Sequence, residues 1–140
     1  MMKIAFDTNV LIDVIADREG SEPARRLVMA VAEGKANGIV SANSITDIYY
    51  IVRKYLGDEA TRQAIWNILA LFDIATVDGE ACATALGSQM DDFEDAVLAV
   101  CADREGAEYI ATRDKGLIDS QYCPIEADYP EEILKMIRDE

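Results

Sequence analysis

The chain has 140 residues, of which 27 are Asp or Glu, 13 are Lys or Arg and none is His, for a formal net charge of −14. Without histidine there is no His general base, no Ser-His-Asp or Cys-His nucleophile and no His-ligated zinc, and the net charge has the wrong sign for unaided binding to nucleic acid or anionic membrane. The three cysteines, Cys82, Cys101 and Cys123, are far apart and form no C-x-x-C pair, so they read as small core residues of a reducing compartment rather than disulfide or metal ligands.

Residues 4–6 are an apolar run of strand length that ends at Asp7. Thr8 and Asn9 follow, and then Val10, Leu11, Val14 and Ile15 recur at helical spacing, which predicts a buried strand, a tight turn and a helix. Residues 17–23 form a turn, Pro23 suits the first turn of a helix over 24–33, and Gly34 ends it. Asn37-Gly38 predicts a tight turn. Residues 39–41 predict a second strand. Ser44 then opens a helix that runs to Gly57, and a further helix covers 59–71. Tyr49, Tyr50, Tyr55 and Trp66 fall at helical spacing on this pair, which predicts core or half-buried packing rather than base stacking. Residues 73–77 predict a third strand with Asp78 at its end; a helix over about 79–89 follows, and another begins near 91–92, runs through Ala102 and is stopped by Gly106. Residues 109–112 predict a fourth strand, and 123–126 a short fifth. Pro130 opens a last amphipathic helix from 131 to about 138.

Strands and helices that alternate in this way predict one α/β domain over residues 1–140, an α/β/α sandwich around a parallel sheet of four to five strands. No apolar run approaches the roughly 18–20 residues needed to span a bilayer. The N-terminus lacks the pattern of a signal peptide, so the expected location is the cytoplasm, with no membrane partner.

Four acids fall at comparable places. Asp7 follows the first strand, Asp47 lies in the first turn of the helix after the second, Asp95 in the first turn of the helix before the fourth, and Asp114 follows the fourth. In a parallel sheet the connecting helices begin at the carboxyl edge, so all four gather where open α/β sheets bind ligands. Each also has a local reading. Asp7, Thr8 or Asn9 caps the first helix, Ser44-x-x-Asp47 and Asp92-x-x-Asp95 resemble capping boxes, and Asp114 caps a short helix over 115–119. If the acids converge, their repulsion is relieved by retained protons or by a cation. Oxygen ligands without His or Cys favour magnesium or manganese, which activates water and stabilises charge at a phosphate.

The stretch Asp7-Thr8-Asn9-Val10-Leu11-Ile12-Asp13 resembles the opening motif of PIN-domain nucleases. Residues 41–47 resemble the family's second motif, and Asp92-Phe93-Glu94-Asp95-Ala96-Val97-Leu98-Ala99 with Tyr109-Ile110-Ala111-Thr112-Arg113-Asp114 resembles the third and fourth. Tyr129-Pro130-Glu131-Glu132-Ile133-Leu134 is similar to its closing segment. The resemblance implies an acidic quartet, Asp7, Asp47, Asp95 and Asp114, that binds Mg2+ or Mn2+ and hydrolyses RNA. It makes Asp92 an auxiliary metal ligand and Asn9 and Thr112 polar supports. Small members of the family are often VapC-type toxins, which implies an antitoxin partner and a homodimer. The chain departs from the pattern at Asp47, where the family usually has Glu. Arg113 and Lys115, flanking Asp114, are candidates to guide RNA phosphates, with Arg53-Lys54 and Arg25-Arg26 as further candidates.

Two other functions compete. A binding module of the same fold with a decayed site fits the Asp47 departure. A phospho-acceptor receiver would use Asp78, but such modules need an acidic pair after the first strand and a Lys after the fifth.

Overall fold

The computed structural model describes residues 1–137. Its elements are β1 (Lys3–Phe6), α1 (Thr8–Ile15), α2 (Glu22–Ala32), β2 (Asn37–Ser41), α3 (Ala42–Leu71), β3 (Asp73–Ala75), α4 (Gly79–Leu86), α5 (Phe93–Arg104), β4 (Tyr109–Ala111), α6 (Lys115–Ile118), β5 (Glu126–Asp128) and α7 (Pro130–Leu134). The five strands form one parallel sheet in the order β3-β2-β1-β4-β5.

Side chains alternate across a strand, so β1 feeds two separate cores. Ile4 and Phe6 pack with Val10, Leu11, Leu27, Ile48, Val52 and Ile133, from α1, α2, α3 and α7. Ala5 faces the other way, into a core made largely of alanines from α4 and α5 with Ile39 and Ile110. Helices therefore cover both faces, as the α/β/α expectation requires. The small side chains Ala96, Ala99 and Ala102 let α5 lie close against the sheet, with Asp95 at its start.

The structure corrects several expectations. Asn37 and Gly38 are not a turn but the first residues of β2, paired with Lys3 and Ile4. The glycine is required by packing: a β-carbon there would fall 2.5 Å from Phe72 Cε1 and closer still to Cδ1. Phe72 is buried and stacks edge-on against Phe6, with ring centroids 5.1 Å apart, so a shift of its ring would disturb that contact. Gly38→Ala should therefore destabilise the fold by about 1–3 kcal/mol, read as a lower midpoint in urea; an unchanged midpoint would mean that Phe72 swings aside.

Helix α3 begins at Ala42 rather than Ser44, and the two helices expected there form one run broken at Gly57, whose φ of 80° leaves the helical region. The third strand stops at Ala75, two residues early, and the fifth lies at 126–128 rather than 123–126. Helix α7 ends at Leu134; Arg138, near the expected end, lies outside the described residues. The aromatic residues of α3 are the largest correction. Tyr50, Tyr55 and Trp66 are 59%, 63% and 67% exposed, because α3 buries only a narrow stripe through Ser44, Ile48, Val52, Thr61 and Ile68. The cysteines are all unbridged, with Cys101 buried and the other two half-buried. Among the described residues, no helix is long and apolar enough to cross a membrane.

Candidate functional site

The chain leaves β1 for β2 on one side and later returns to place β4 on the other. The strand order thus reverses between β1 and β4, and the crevice outside their carboxyl ends is the place where such sheets bind ligands. Asp7 stands at the end of β1 and Thr112, Arg113 and Asp114 follow β4. The Asp7 amide donates to the carbonyl of Ala111 at 3.0 Å, which fastens the two strand ends together.

Asp7 is 7% exposed. It does not cap α1 through its side chain, so the local reading of that residue fails. Its Oδ2 instead accepts a hydrogen bond from Thr112 Oγ1 at 2.8 Å. The same hydroxyl accepts from the Asp114 amide at 3.0 Å. Thr112 is fully buried and so links the two acids that flank it. Burial pushes the Asp7 carboxyl above the usual carboxylate range; the hydrogen bonds from Thr112 and the Thr8 amide pull the other way, and Asp114 and Asp92 add repulsion.

Asp95 enters from α5. Its carboxyl is pushed up to about 7, first by desolvation, then by a hydrogen bond with Asp114, then by the charges of Asp7, Asp92 and Asp114. Asp92 and Asp114 keep their local roles as well. Asp92 Oδ1 caps α5 by accepting from the Asp95 amide at 2.9 Å, and Asp114 Oδ1 caps α6 by accepting from the Gly116 amide at 2.9 Å. A carboxylate at a helix start is favoured by the dipole, and here the caps fix two acids at the mouth of one cleft. That cleft encloses about 400 Å³ and is lined by Asp92, Asp95, Asp114 and the half-exposed Tyr122.

The structure therefore gathers Asp7, Asp92, Asp95 and Asp114, with Thr112 between them. Asp47 is placed differently. It lies in the second turn of α3, not the first, and the charge it perturbs is that of Glu94. The Glu94 carboxyl is raised by desolvation and then by Asp47, Asp7 and Asp92, so it joins the acidic field between α3 and the cluster. Ser44 is not a cap for Asp47. Its hydroxyl is buried, accepting from Thr8 at 2.7 Å and lying 2.9 Å from that of Ser41. Asn9 is exposed in the first turn of α1.

Arg113 and Lys115 are engaged by carboxylates. Arg113 pairs with Asp13, which is buried and also holds Arg18 at 3.2 Å, and Lys115 pairs with Asp119 at 3.0 Å. A role at RNA phosphates requires release from these partners. Asp78, the residue a receiver would phosphorylate, caps α4 and is gripped by both Arg104 nitrogens at 3.0 and 3.1 Å, which holds its carboxyl down at about 2. Sequence reasoning passed over Asp13, Glu94, Tyr122 and the Thr8–Ser41–Ser44 hydroxyls. The signal for the hydroxyls is the run of small polar residues after two neighbouring strands.

The donor set is all oxygen, and two of its carboxyls hold protons more tightly than isolated ones do, which is the state of converging acids without a counter-charge. A hard divalent cation fits that chemistry. As placed, no three Asp, Glu or Cys side chains among the described residues are grouped closely enough to hold an ion. Coordination there would require side-chain rearrangement.

A doubly wound parallel sheet with an acidic cluster at its switch point defines the class. The family model described as PIN domain matches residues 3–116, and the chain belongs to that family. No curated protein matches it in sequence. Solved structures share the fold at low identity. VapC20 of Mycobacterium tuberculosis, described as a sarcin-ricin loop cleaving toxin, is 15% identical with a TM-score of 0.68 over 85% of this chain and 95% of its own. VapBC2 from Rickettsia felis, bound to a DNA fragment from its promoter, is 14% identical with a TM-score of 0.68 over 91% and 98%. FitAcB from Neisseria gonorrhoeae is 19% identical with a TM-score of 0.65 over 91% and 97%.

Proposed function

We propose that this PIN domain is a divalent-metal-dependent endoribonuclease and the toxin of a toxin–antitoxin pair, acting in the cytoplasm as a homodimer. The observation that carries the reading is the convergence of Asp7, Asp95 and Asp114 around Thr112 at the switch point. The fold shared with the VapC20 toxin and with VapBC complexes supports the substrate class and the antitoxin.

Asp7, Asp95 and Asp114 would hold Mg2+ or Mn2+, with Asp92 as auxiliary ligand and Asp47 at the margin. When bound, the cation supplies Lewis acidity, lowering the pKa of the attacking water and offsetting charge at the phosphate. Thr112 fixes the Asp7 carboxylate and, through the Asp114 amide, the start of α6. Asn9 lies within a turn of Asp7 as an exposed polar support. Without the cation, the Asp95 carboxyl is pushed up to about 7 and holds part of a proton at neutral pH, which it would release on becoming a ligand.

A second reading, a binding module without catalysis, is favoured by the spacing of the acids and by Asp47. Incubating a mixed RNA pool with the protein plus Mn2+ or Mg2+, against chelator, separates the two. The nuclease reading expects cleavage that chelator abolishes; intact RNA with either metal leaves the binding module.

A further inference from the structure

The net charge of −14 leaves open how an RNA strand is held. Arg113 and Lys115 are occupied. In fact every described arginine except Arg53 sits in an ion pair with a carboxylate. Arg53 and its neighbour Lys54 make none among the described residues, and both are exposed on α3. The Arg53 guanidinium lies 5.5 Å above the Tyr50 ring and 5.9 Å above that of Tyr49. The two rings meet edge to face at 5.3 Å. Asp58, whose carboxylate feels the Arg53 charge, is hydrogen-bonded instead by Arg62 at 3.0 Å and by the Tyr49 hydroxyl. The outer face of α3 thus carries a shelf formed by the exposed Tyr50 ring and the half-buried Tyr49 ring, beside two cations that sit in no ion pair among the described residues.

The shelf begins one turn from Asp47, at the margin of the acid cluster. Asp47, Tyr50 and Lys54 stand at i, i+3 and i+7 and share one side of the helix. Helix α3 starts at the carboxyl edge of β2, and at 1.5 Å per residue Lys54 lies about 10 Å along the axis from Asp47. We propose that Tyr50, Arg53 and Lys54 form a single-stranded RNA track that leads to the acid cluster: the ring stacks on a base and the two cations contact phosphates. Exposed rings bearing guanidinium groups suit single strands, whose bases all present a π-face. A second copy of this chain fits less well. An isologous contact through this face would set its cations against their own copies.

This inference rests on the nuclease reading only for the fate of the bound strand. Its test is fluorescence anisotropy of a labelled mixed-sequence RNA oligonucleotide, in the Asp7→Asn background so that the strand stays intact. Tyr50→Ala should weaken binding about tenfold. Arg53→Ala with Lys54→Ala should lower the salt dependence by about one to two phosphates' worth of slope. With Asp7 restored, the same substitutions should raise KM and leave kcat. All three side chains are exposed, so the melting temperature should stay constant. Unchanged affinity and salt slope would overturn the track. So would a shift from dimer to monomer in sedimentation with RNA affinity intact, which would make the face a protein interface. Binding that depends on Tyr50 without cleavage would instead remove the nuclease reading and keep the track. Cleavage with KM unmoved by the substitutions would do the reverse.

Discussion

Asp7→Asn should abolish RNA cleavage and, in the metal-free protein, raise the melting temperature. Both effects come from one buried carboxyl. Asp7 is 7% exposed, and desolvation together with Asp114 and Asp92 makes its charged form unfavourable in the fold. An amide of the same shape still accepts the Thr112 hydrogen bond and carries no charge. Removing the Asp7 charge should therefore raise the melting temperature of the metal-free protein. The sign is the same for Asp95. Its folded pKa of about 7 lies above its ordinary value, so between about pH 4 and pH 7 the folded protein binds a proton that the unfolded chain has released. Stability without metal should fall as pH rises through that window and level off above it. Scanning calorimetry of both proteins from pH 4 to 8 measures this, and a flat profile would mean that the acids do not converge. For cleavage, loss of an outer-shell partner of a metal site commonly costs 10–100-fold, so loss of a proposed ligand should cost about 10²-fold or more.

Asp13→Ala should act in the opposite direction, lowering stability by about 2–3 kcal/mol and the melting temperature by roughly 6–12 °C. Asp13 is buried at the end of α1 and holds Arg18 and Arg113. Removing one partner of a fully buried pair costs about 3–5 kcal/mol. The figure is reduced here because Arg18 and Arg113 are 40% and 52% exposed and can regain water. Arg113 lies between Thr112 and Asp114, so its release also loosens the loop that places Asp114, and cleavage should fall about tenfold. A double-mutant cycle with Arg113→Ala isolates the pair. Additive losses would show that Asp13 matters through some other contact.

The strands and the acids at their ends were readable because two periodicities meet there. An apolar run stops at a carboxylate and helical spacing begins, at Asp7 and again at Asp114. The parallel sheet then places these residues at one edge without further information. Gly38 was misread because a glycine after asparagine signals a turn locally, while its actual cause is Phe72, which is 34 positions away in the chain. Tyr50, Tyr55 and Trp66 were misread for a related reason. Helical spacing shows which residues share a side of α3, but not which side faces the sheet, and the break at Gly57 resets that relation. Ser44 fitted a capping pattern by spacing, yet α3 starts two residues earlier and its hydroxyl turns inward to Thr8. Asp13 was hidden in a familiar motif, and its partner Arg113 is 100 residues away.

The central claim is that the converging carboxylates form a divalent cation site. The most direct test is calorimetric titration of the metal-free protein with Mn2+ near pH 7, in buffers of different ionisation enthalpy, for wild type, Asp7→Asn and Asp95→Asn. Binding to the wild-type protein should be saturable and should release protons, because the Asp95 carboxyl is partly protonated there. Binding should be lost in Asp7→Asn, and in Asp95→Asn it should be weak and no longer release that proton. No binding to wild type, or binding of equal strength and proton count in all three proteins, would contradict the claim.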